Sequence, residues 1–351
     1  MDDNIFTSLS VFDLEDINKE FDSGLYNIAN QFRKESAHFM ILSRNCAWKE
    51  YEIQSGMLSS VLERHPFENT ENILKFNIAV TEEACNRILT SEYPLICKIG
   101  MYAYVVEIGA REFISPENID VVYKNLSAAK ERGFFFTPPS LAVRMVLASL
   151  EKAESKKYVL DPAAGVGVFL AYHMMFNKDL VGVFGTEIDY RTSELANKLL
   201  LYVATTVKKT VQIDVRCEDF LEFFREMKGK DPIDIIVMNP PYGVVKVLAS
   251  DFTDTSTKAK LGHEEIKIFE KRLKKKTIDY ASQLRQRFLS YGIGKGTLEY
   301  SKLFMAVALE MLSKDGILVS ITPSSWLGDE TSSAFRKKII QSYYLHELWI
   351  I

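Results

Sequence analysis

The tetrapeptide Asn239-Pro240-Pro241-Tyr242 directly follows the apolar, β-branched run IDIIVM at 233–238. Two consecutive prolines remove two backbone N–H donors and force extended geometry on the residue before them, so a strand must end here. What remains is a rigid ledge, residues 239–242. The Asn239 side-chain oxygen and the Pro240 carbonyl could accept both hydrogens of one planar NH2 group, and Tyr242 could stack on a flat substrate. This arrangement would activate an amino nitrogen towards an electrophilic methyl group, whereas the alternative is a mere strand terminator.

A second candidate site is the glycine turn in VLDPAAGVGVFL, 159–170. A predicted strand ends in Asp161, and a predicted helix starts near Val168. Gly165 and Gly167 let the backbone approach a ligand closely, and the free N–H groups of the helix N-terminus could bind it. By itself this pattern also fits a tight strand–helix connection.

Glu187 indicates which ligand the glycine turn binds. It ends the next predicted strand, 20 positions after Gly167, a spacing at which an acid accepts hydrogen bonds from ribose hydroxyls. The dinucleotide pattern G-x-G-x-x-G is absent, and the charge of Asp161 would repel a pyrophosphate. A cofactor with a ribose and a positive charge fits better, and S-adenosylmethionine has both.

Asp219 and Phe220 follow the third predicted strand. An acid beside an aromatic ring can bind an exocyclic amine and cover a purine face, so the pair predicts the site of the cofactor adenine. The alternative for Asp219 is a helix N-cap.

The elements that must position these residues alternate along the second part of the chain. Apolar segments of strand length occur at 157–161, 180–188, 211–216, 233–238 and 316–322, and helical patterns at 139–153, 193–204, 298–314 and 332–344. Strands apolar on both faces that alternate with helices indicate a mostly parallel sheet covered on both sides. We therefore predict an α/β, Rossmann-like doubly wound domain at 131–351, preceded by an N-terminal helical domain at 1–130 with apolar residues at helical spacing.

Two segments depart from this alternation. Residues 245–299 resemble an insertion, and from Thr257 to Lys302 the chain has 12 Lys and Arg against 5 Asp and Glu. This basic segment fits either contact with a phosphate backbone or a solvated helical face. The chain ends within the strand-like run YYLHELWII, so we expect it to be the front part of a longer protein.

The composition of the chain limits its expected partners, metal sites and cellular compartment. The 351 residues carry a formal net charge of -4, so nucleic-acid contact requires a local basic patch. The four cysteines form no C-x-x-C pair, which indicates a reducing compartment and no metal site. We find no signal peptide and no apolar run of the roughly 20 residues that span a bilayer. These features predict a cytoplasmic protein without a membrane segment.

The motifs FFFTPP (134–139), DPAAGVGVFL (161–170), TEID (186–189), EDFL (218–221) and NPPYG (239–243) occur in this order. The ordered set resembles the adenine-N6 DNA methyltransferases of restriction–modification and phage-defence systems. The resemblance covers about residues 130–351 and implies methyl transfer from S-adenosylmethionine to the amine of a flipped-out adenine, with S-adenosylhomocysteine as product. It assigns the catalytic role to Asn239, Pro240, Pro241 and Tyr242. The residues that it assigns to the cofactor are Thr137, Asp161, Ala163, Gly165, Gly167, Glu187, Ile188, Asp219, Phe220, Asn239 and Phe304.

The resemblance also implies partners. They are double-stranded DNA and either a specificity subunit or a C-terminal target recognition domain, which we expect to be missing from this chain. Protein glutamine-N5 methylation is the main alternative, since a side-chain amide is also a planar NH2 group, and RNA guanine-N2 methylation is a weaker third. A cofactor-binding structural subunit of a defence complex is a further alternative. The FTPP segment and the basic insertion favour DNA.

Overall fold

The computed structural model describes residues 20–32, 81–112, 136–227, 233–245, 263–293 and 298–348. Its N-terminal part consists of helices α1 (20–32), α2 (81–90) and α3 (Leu95–Glu112). Apolar residues recur at helical spacing in two N-terminal segments, 25–44 and 72–92, and both contain helices where they are described. The remainder of those segments, 33–44 and 72–80, lies outside the described residues.

The second part contains the predicted alternation of strands and helices. In chain order the elements are α4 (Pro139–Lys152), β1 (Tyr158–Asp161), α5 (Val168–Phe176), β2 (Gly182–Glu187), α6 (Tyr190–Thr206), β3 (Gln212–Cys217), α7 (Phe220–Met227), β4 (Ile233–Met238), α8 (His263–Arg287), α9 (Tyr300–Met311), β5 (Leu312–Ser320), α10 (Ser325–Gly328) and α11 (Ser333–Ser342).

The five strands form one sheet in the order β3-β2-β1-β4-β5, and every neighbouring pair is parallel. The chain moves from β1 outwards through β2 to β3, then crosses back to β4 on the other side of β1. Such a reversal leaves a crevice at the carboxyl ends of the two central strands, where open α/β sheets bind ligands. Asp161 ends β1 and Asn239 follows β4, so the two candidate sites meet at this crevice.

Alternate residues of the central strands enter two different hydrophobic cores. Val159, Ile235 and Val237 pack in a core with α4, α5 and α6. Leu160 and Ile236 pack in a second core with α7, α8 and α9. Helices therefore cover both faces of the sheet, and the predicted doubly wound α/β class is confirmed.

Strand positions agree closely with the sequence, with two differences at the C-terminal side. β5 starts at Leu312 rather than at 316, because its pairing with β4 continues beyond an irregularity in register opposite Ile233 and Ile235. The strand-like run at 343–351 forms no strand in its described part, 343–348, where the chain is irregular and Tyr344 is 81% exposed. An apolar pattern alone cannot make a strand, since the backbone also needs a hydrogen-bonding partner.

The described N-terminal helices pack against the catalytic part. Leu25 and Ala29 of α1 are buried in the core that contains α4, α5 and α6. Asp22 of α1 accepts hydrogen bonds from the backbone N–H of Ser140 (3.0 Å) and from its hydroxyl, so it caps the N-terminus of α4. The boundary between two domains near residue 130 stays a prediction, but α1 shares a core with the sheet.

Replacing Asp22 by Ala tests this docking. The substitution leaves the Ser140 N–H without its charged acceptor, so we expect the free energy of unfolding in urea to fall by about 1–3 kcal/mol. The matched control is Asn27→Ala on the exposed side of the same helix, for which we expect almost no change. Equal effects of the two substitutions would contradict the capping role.

Candidate active site

The predicted site residues gather at the carboxyl edge of the sheet. Asp161 and Glu187 are the last residues of β1 and β2, and Asp219 follows β3 by two positions. The ledge, 239–242, follows β4 directly, with Pro240 and Pro241 buried and Asn239 and Tyr242 half-buried. Parallel strands place their carboxyl ends on one edge, which explains why residues so distant in sequence come together.

The glycine loop, residues 162–167, adopts a backbone that requires glycine. Gly165 has φ +52° and Gly167 has φ +78°, in the left-handed region that side chains with a Cβ rarely adopt. The loop is held to β2, because the Ala164 N–H donates to the Thr186 carbonyl (2.9 Å) and the Thr186 hydroxyl donates to the Pro162 carbonyl (2.6 Å). The result is a fixed turn that leads into α5.

Two buried carboxylates flank this loop. Asp161 Oδ1 accepts from the Ala163 N–H (3.1 Å), while Oδ2, also buried, has no hydrogen-bond partner among the described residues. Glu187 accepts from the N–H groups of Gly165 (3.1 Å) and Asp189 (2.9 Å). Burial raises the pKa of Asp161 to about 8 and the pKa of Glu187 to about 7. The nearby charge of Glu187 adds to the shift of Asp161.

These features fit S-adenosylmethionine. An unpartnered buried carboxylate oxygen is costly unless a positive group compensates it, and the cofactor carries such groups. Backbone N–H groups already orient Glu187, and its oxygens retain lone pairs for ribose hydroxyls. No cluster of three His, Cys, Asp or Glu side chains that could hold a metal occurs in the part of the chain that the structure describes.

Four further residues assigned to the cofactor, of which Asp219 and Phe220 were assigned to its adenine, differ in exposure. Ile188 is 43% exposed at the end of β2, whereas Phe220 and Phe304 are buried and pack on each other with ring centroids 5.1 Å apart. Asp219 is exposed, and its Oδ1 accepts from the Leu221 N–H at 2.7 Å. Asp219 therefore caps α7, the alternative weighed for it above, and the cofactor roles of all four residues stay predictions.

At the ledge, the Asn239 side chain is held at both ends of its amide. Its Nδ2 donates to the Thr137 hydroxyl at 3.0 Å, and its Oδ1 accepts from the Tyr242 hydroxyl. Thr137, assigned to the cofactor by the resemblance, thus contacts the ledge directly. Burial raises the pKa of Tyr242, so its hydroxyl stays protonated and can donate.

Several residues around the ledge were not identified from the sequence. An added Cβ on Gly165 would lie 3.5 Å from the Phe136 ring, so this ring covers the glycine loop. Behind the ledge, Glu299 accepts from the Trp326 indole N–H (3.1 Å) and pairs with Lys302 (3.6 Å). Trp326 lies after β5, at the same edge of the sheet, and this position is the signal that could have identified it.

Comparison with known proteins agrees with this geometry. Residues 122–281 match the family model of the N-6 DNA methylases. This part of the chain is therefore similar to the N-6 DNA methylases. The matched segment includes the glycine loop, both buried carboxylates and the ledge of the methylase.

Two solved structures are similar to the methylase chain at low identity. A type I restriction-modification system methyltransferase subunit from Streptococcus thermophilus is 13% identical, with 92% of this chain and 79% of that chain covered and a TM-score of 0.42. A structure from Listeria monocytogenes, assigned to the class I S-adenosylmethionine-dependent methyltransferases, is 17% identical, with 88% and 78% covered and a TM-score of 0.38. The reaction class of the protein is assigned from the family match and not from these two similarities.

The family match confirms the reaction class and the cofactor that were predicted from the sequence. The protein is an S-adenosylmethionine-dependent methyltransferase of the adenine-N6 DNA class. Among the described residues, no helix is both long enough and apolar enough to cross a membrane. The role of each individual site residue stays a prediction.

The predicted role of Glu187 at the ribose implies that cofactor affinity depends on pH. An ionised carboxylate accepts hydrogen bonds more strongly than the neutral acid, and below the pKa the ionised fraction falls by up to about tenfold per pH unit. With a pKa of about 7 for Glu187 and about 8 for Asp161, we expect S-adenosylmethionine to bind at least about tenfold more weakly at pH 6 than at pH 8 in calorimetry. Glu187→Gln should bind weakly throughout, with a shallower pH dependence that reflects Asp161 alone. An equally steep dependence in this variant would remove Glu187 from the ribose site.

Proposed function

We propose that the methylase transfers a methyl group to N6 of an adenine flipped out of DNA, with the ledge at 239–242 as the catalytic element. An adenine amino group inside a duplex cannot reach a methyl donor held in a protein crevice, which is why the base must leave the stack. The observation that carries the proposal is the Asn239 amide, held between Thr137 and Tyr242 at the sheet crevice.

The ledge acts by positioning the amino group. The Asn239 Oδ1 and the Pro240 carbonyl accept its two hydrogens, which concentrates the nitrogen lone pair on N6. Oδ1 has two lone pairs, so it can accept from the base in addition to the Tyr242 hydroxyl, or in place of it. Most of the rate enhancement then comes from orientation and fixed dipoles rather than from a strong base.

The cofactor is held by the glycine loop and by the acids on either side of it. S-adenosylmethionine supplies an electrophilic methyl group and leaves as S-adenosylhomocysteine. Glu187 accepts the ribose hydroxyls, and the negative charge of Asp161 favours the positively charged methionine end. Ala163, Gly165 and Gly167 shape the loop, while Ile188, Asp219, Phe220 and Phe304 form the adenine end.

DNA binding is proposed for the insertion. The chain leaves the ledge and returns to it through a two-stranded stem, 243–245 and 298–300, in which the Val245 N–H donates to the Leu298 carbonyl (2.8 Å) and the Tyr300 N–H to the Gly243 carbonyl (3.0 Å). The insertion that contains the basic helix α8 therefore leaves the ledge and returns to it at neighbouring points. Lys271, Lys274 and Lys275 are exposed on it at helical spacing, where they can contact phosphates beside the flipped base.

The position of α8 supports this reading. Leu284 and Phe288 anchor its C-terminal half in the core with α7. Burial raises the pKa of Tyr280, and the Asp219 carboxylate near it adds to the shift. Tyr280 of α8 therefore lies near Asp219, and the exposed lysines are about two turns away along the helix axis.

Sequence recognition is proposed to come from a partner. A specificity subunit or a target recognition domain would supply the base contacts, and the methylase would act within a restriction–modification or defence system in the cytoplasm. Contacts from basic side chains to phosphates position a duplex but do not read its sequence, so α8 alone cannot provide recognition.

A glutamine-N5 methyltransferase is the alternative with the same catalytic tetrapeptide. The match of residues 122–281 to the N-6 DNA methylases favours DNA, as does the basic helix in the insertion that follows the ledge. The intact ledge also argues against a subunit that only binds cofactor.

Asn239→Ala tests the catalytic assignment. The protein is incubated with labelled S-adenosylmethionine and unmethylated mixed-sequence DNA, which is then digested to nucleosides. We expect label in N6-methyladenine with the wild type and a loss of roughly 10²- to 10³-fold in the variant, the scale for removing one catalytic polar group. Cofactor affinity in calorimetry should stay largely intact, because most of the residues assigned to the cofactor are unchanged. Label in a protein substrate and none in DNA would instead support the glutamine reading.

The α8 surface is tested by charge removal. Replacing Lys271, Lys274 and Lys275 by Gln should raise the KM for DNA, leave kcat unchanged, and lower the slope of log affinity against log salt by roughly two to three. The control variant replaces Lys157, Lys178 and Lys208, which are exposed at the amino edge of the sheet. If both triple variants bind DNA alike, the lysines of α8 form only a solvated face.

A further inference from the structure

Thr137 is a buried polar residue whose side chain contacts the ledge. It is 9% exposed, and its hydroxyl accepts a hydrogen bond from Asn239 Nδ2 at 3.0 Å, across 102 residues of sequence. The neighbours of Thr137 are themselves fixed. The Phe136 ring covers Gly165, and Pro139 begins α4, whose N-terminus is capped by Asp22. Thr137 therefore offers the catalytic amide a rigid acceptor.

The orientation of this amide decides whether the ledge can work. Only the oxygen of Asn239 can accept a hydrogen from an amino group, while its NH2 end would present two donors to another donor. A half-turn about the last side-chain bond exchanges the two ends, and that rotation has only broad energy minima in an unrestrained side chain. The Thr137 and Tyr242 hydroxyls hold the amide on both sides, and a half-turn would require both hydroxyls to exchange their donor and acceptor roles.

We propose that Thr137 is a positioning residue that holds the Asn239 amide with its oxygen available for the substrate amino group. This inference rests on the proposed function of the ledge and goes beyond it, because the resemblance assigns Thr137 to the cofactor. The two roles predict different measurements. A positioning residue affects the rate at saturating cofactor, whereas a cofactor contact affects the affinity for S-adenosylmethionine.

The kinetic test compares Thr137→Val, which keeps the shape and removes the hydroxyl, with Thr137→Ser, which keeps the hydroxyl. In single-turnover methylation with saturating cofactor and DNA, we expect Thr137→Val to be roughly five- to tenfold slower, as for the loss of one hydrogen bond. Thr137→Ser should lie within about twofold of the wild type, and both should bind S-adenosylmethionine normally in calorimetry. A wild-type rate in Thr137→Val overturns the proposal. A loss of cofactor affinity with an unchanged saturated rate also overturns it.

A second test does not need activity. Urea unfolding of Thr137→Val, Asn239→Ala and the double variant forms a double-mutant cycle. We expect the double variant to shift the unfolding midpoint by less than the sum of the single shifts, because both substitutions remove the same contact. Additive shifts overturn the contact. Absence of N6-methyladenine with the wild-type protein would count against the proposed function, while the cycle would still decide whether Thr137 holds Asn239.

Discussion

Two consecutive prolines end β4 at the centre of the sheet, and the geometry of the catalytic edge depends on this termination. All six residues of β4 are buried, and its last carbonyl, of Met238, accepts from the Ile321 N–H at 3.1 Å. Beyond that point Pro240 and Pro241 have no N–H groups, so the chain cannot extend the sheet. The backbone of Asn239 is therefore fixed by a rigid strand, and its side chain is fixed by contacts from elsewhere in the chain.

The same edge concentrates negative charge in a buried environment. Asp161 directly precedes the glycine loop, Glu187 accepts from the Gly165 N–H of that loop, and burial raises the pKa of both. Backbone N–H groups compensate part of this charge, but one oxygen of Asp161 has no such donor among the described residues. Burying these carboxyl groups lowers the stability of the fold, but it makes the site attractive to a cation. Buried carboxyl groups with shifted pKa values are therefore typical of ligand sites.

The strand before the ledge and the glycine turn could be predicted from the sequence, because the residue types in both places restrict the backbone locally. The strand at 233–238 was predicted to the residue, since apolar β-branched residues are followed there by two prolines. Gly165 and Gly167 were identified as special, and both adopt left-handed conformations. In these places the residue type itself limits the backbone.

Contacts between distant segments could not be predicted in the same way. The hydrogen bond from Asn239 to Thr137 and the cap provided by Asp22 depend on how helices dock on the sheet, which no local pattern encodes. The resemblance assigns Phe304 to the cofactor, but its helical spacing fits the core equally well, because a helix that packs on a sheet shows the same apolar face in both cases. The run at 343–348 shows the converse, an apolar pattern without a strand partner.

The stem at 243–245 and 298–300 makes the insertion a detour that starts and ends at nearly the same point. The cost of closing such a loop grows only with the logarithm of its length, so segments of very different size could occupy this position at similar stability. The ledge would not move, since its anchors lie on the sheet side of the stem. During evolution, segments of different length and charge could therefore replace the insertion beyond Val245. Such a replacement would change the DNA contacts proposed for the insertion while the ledge keeps its geometry.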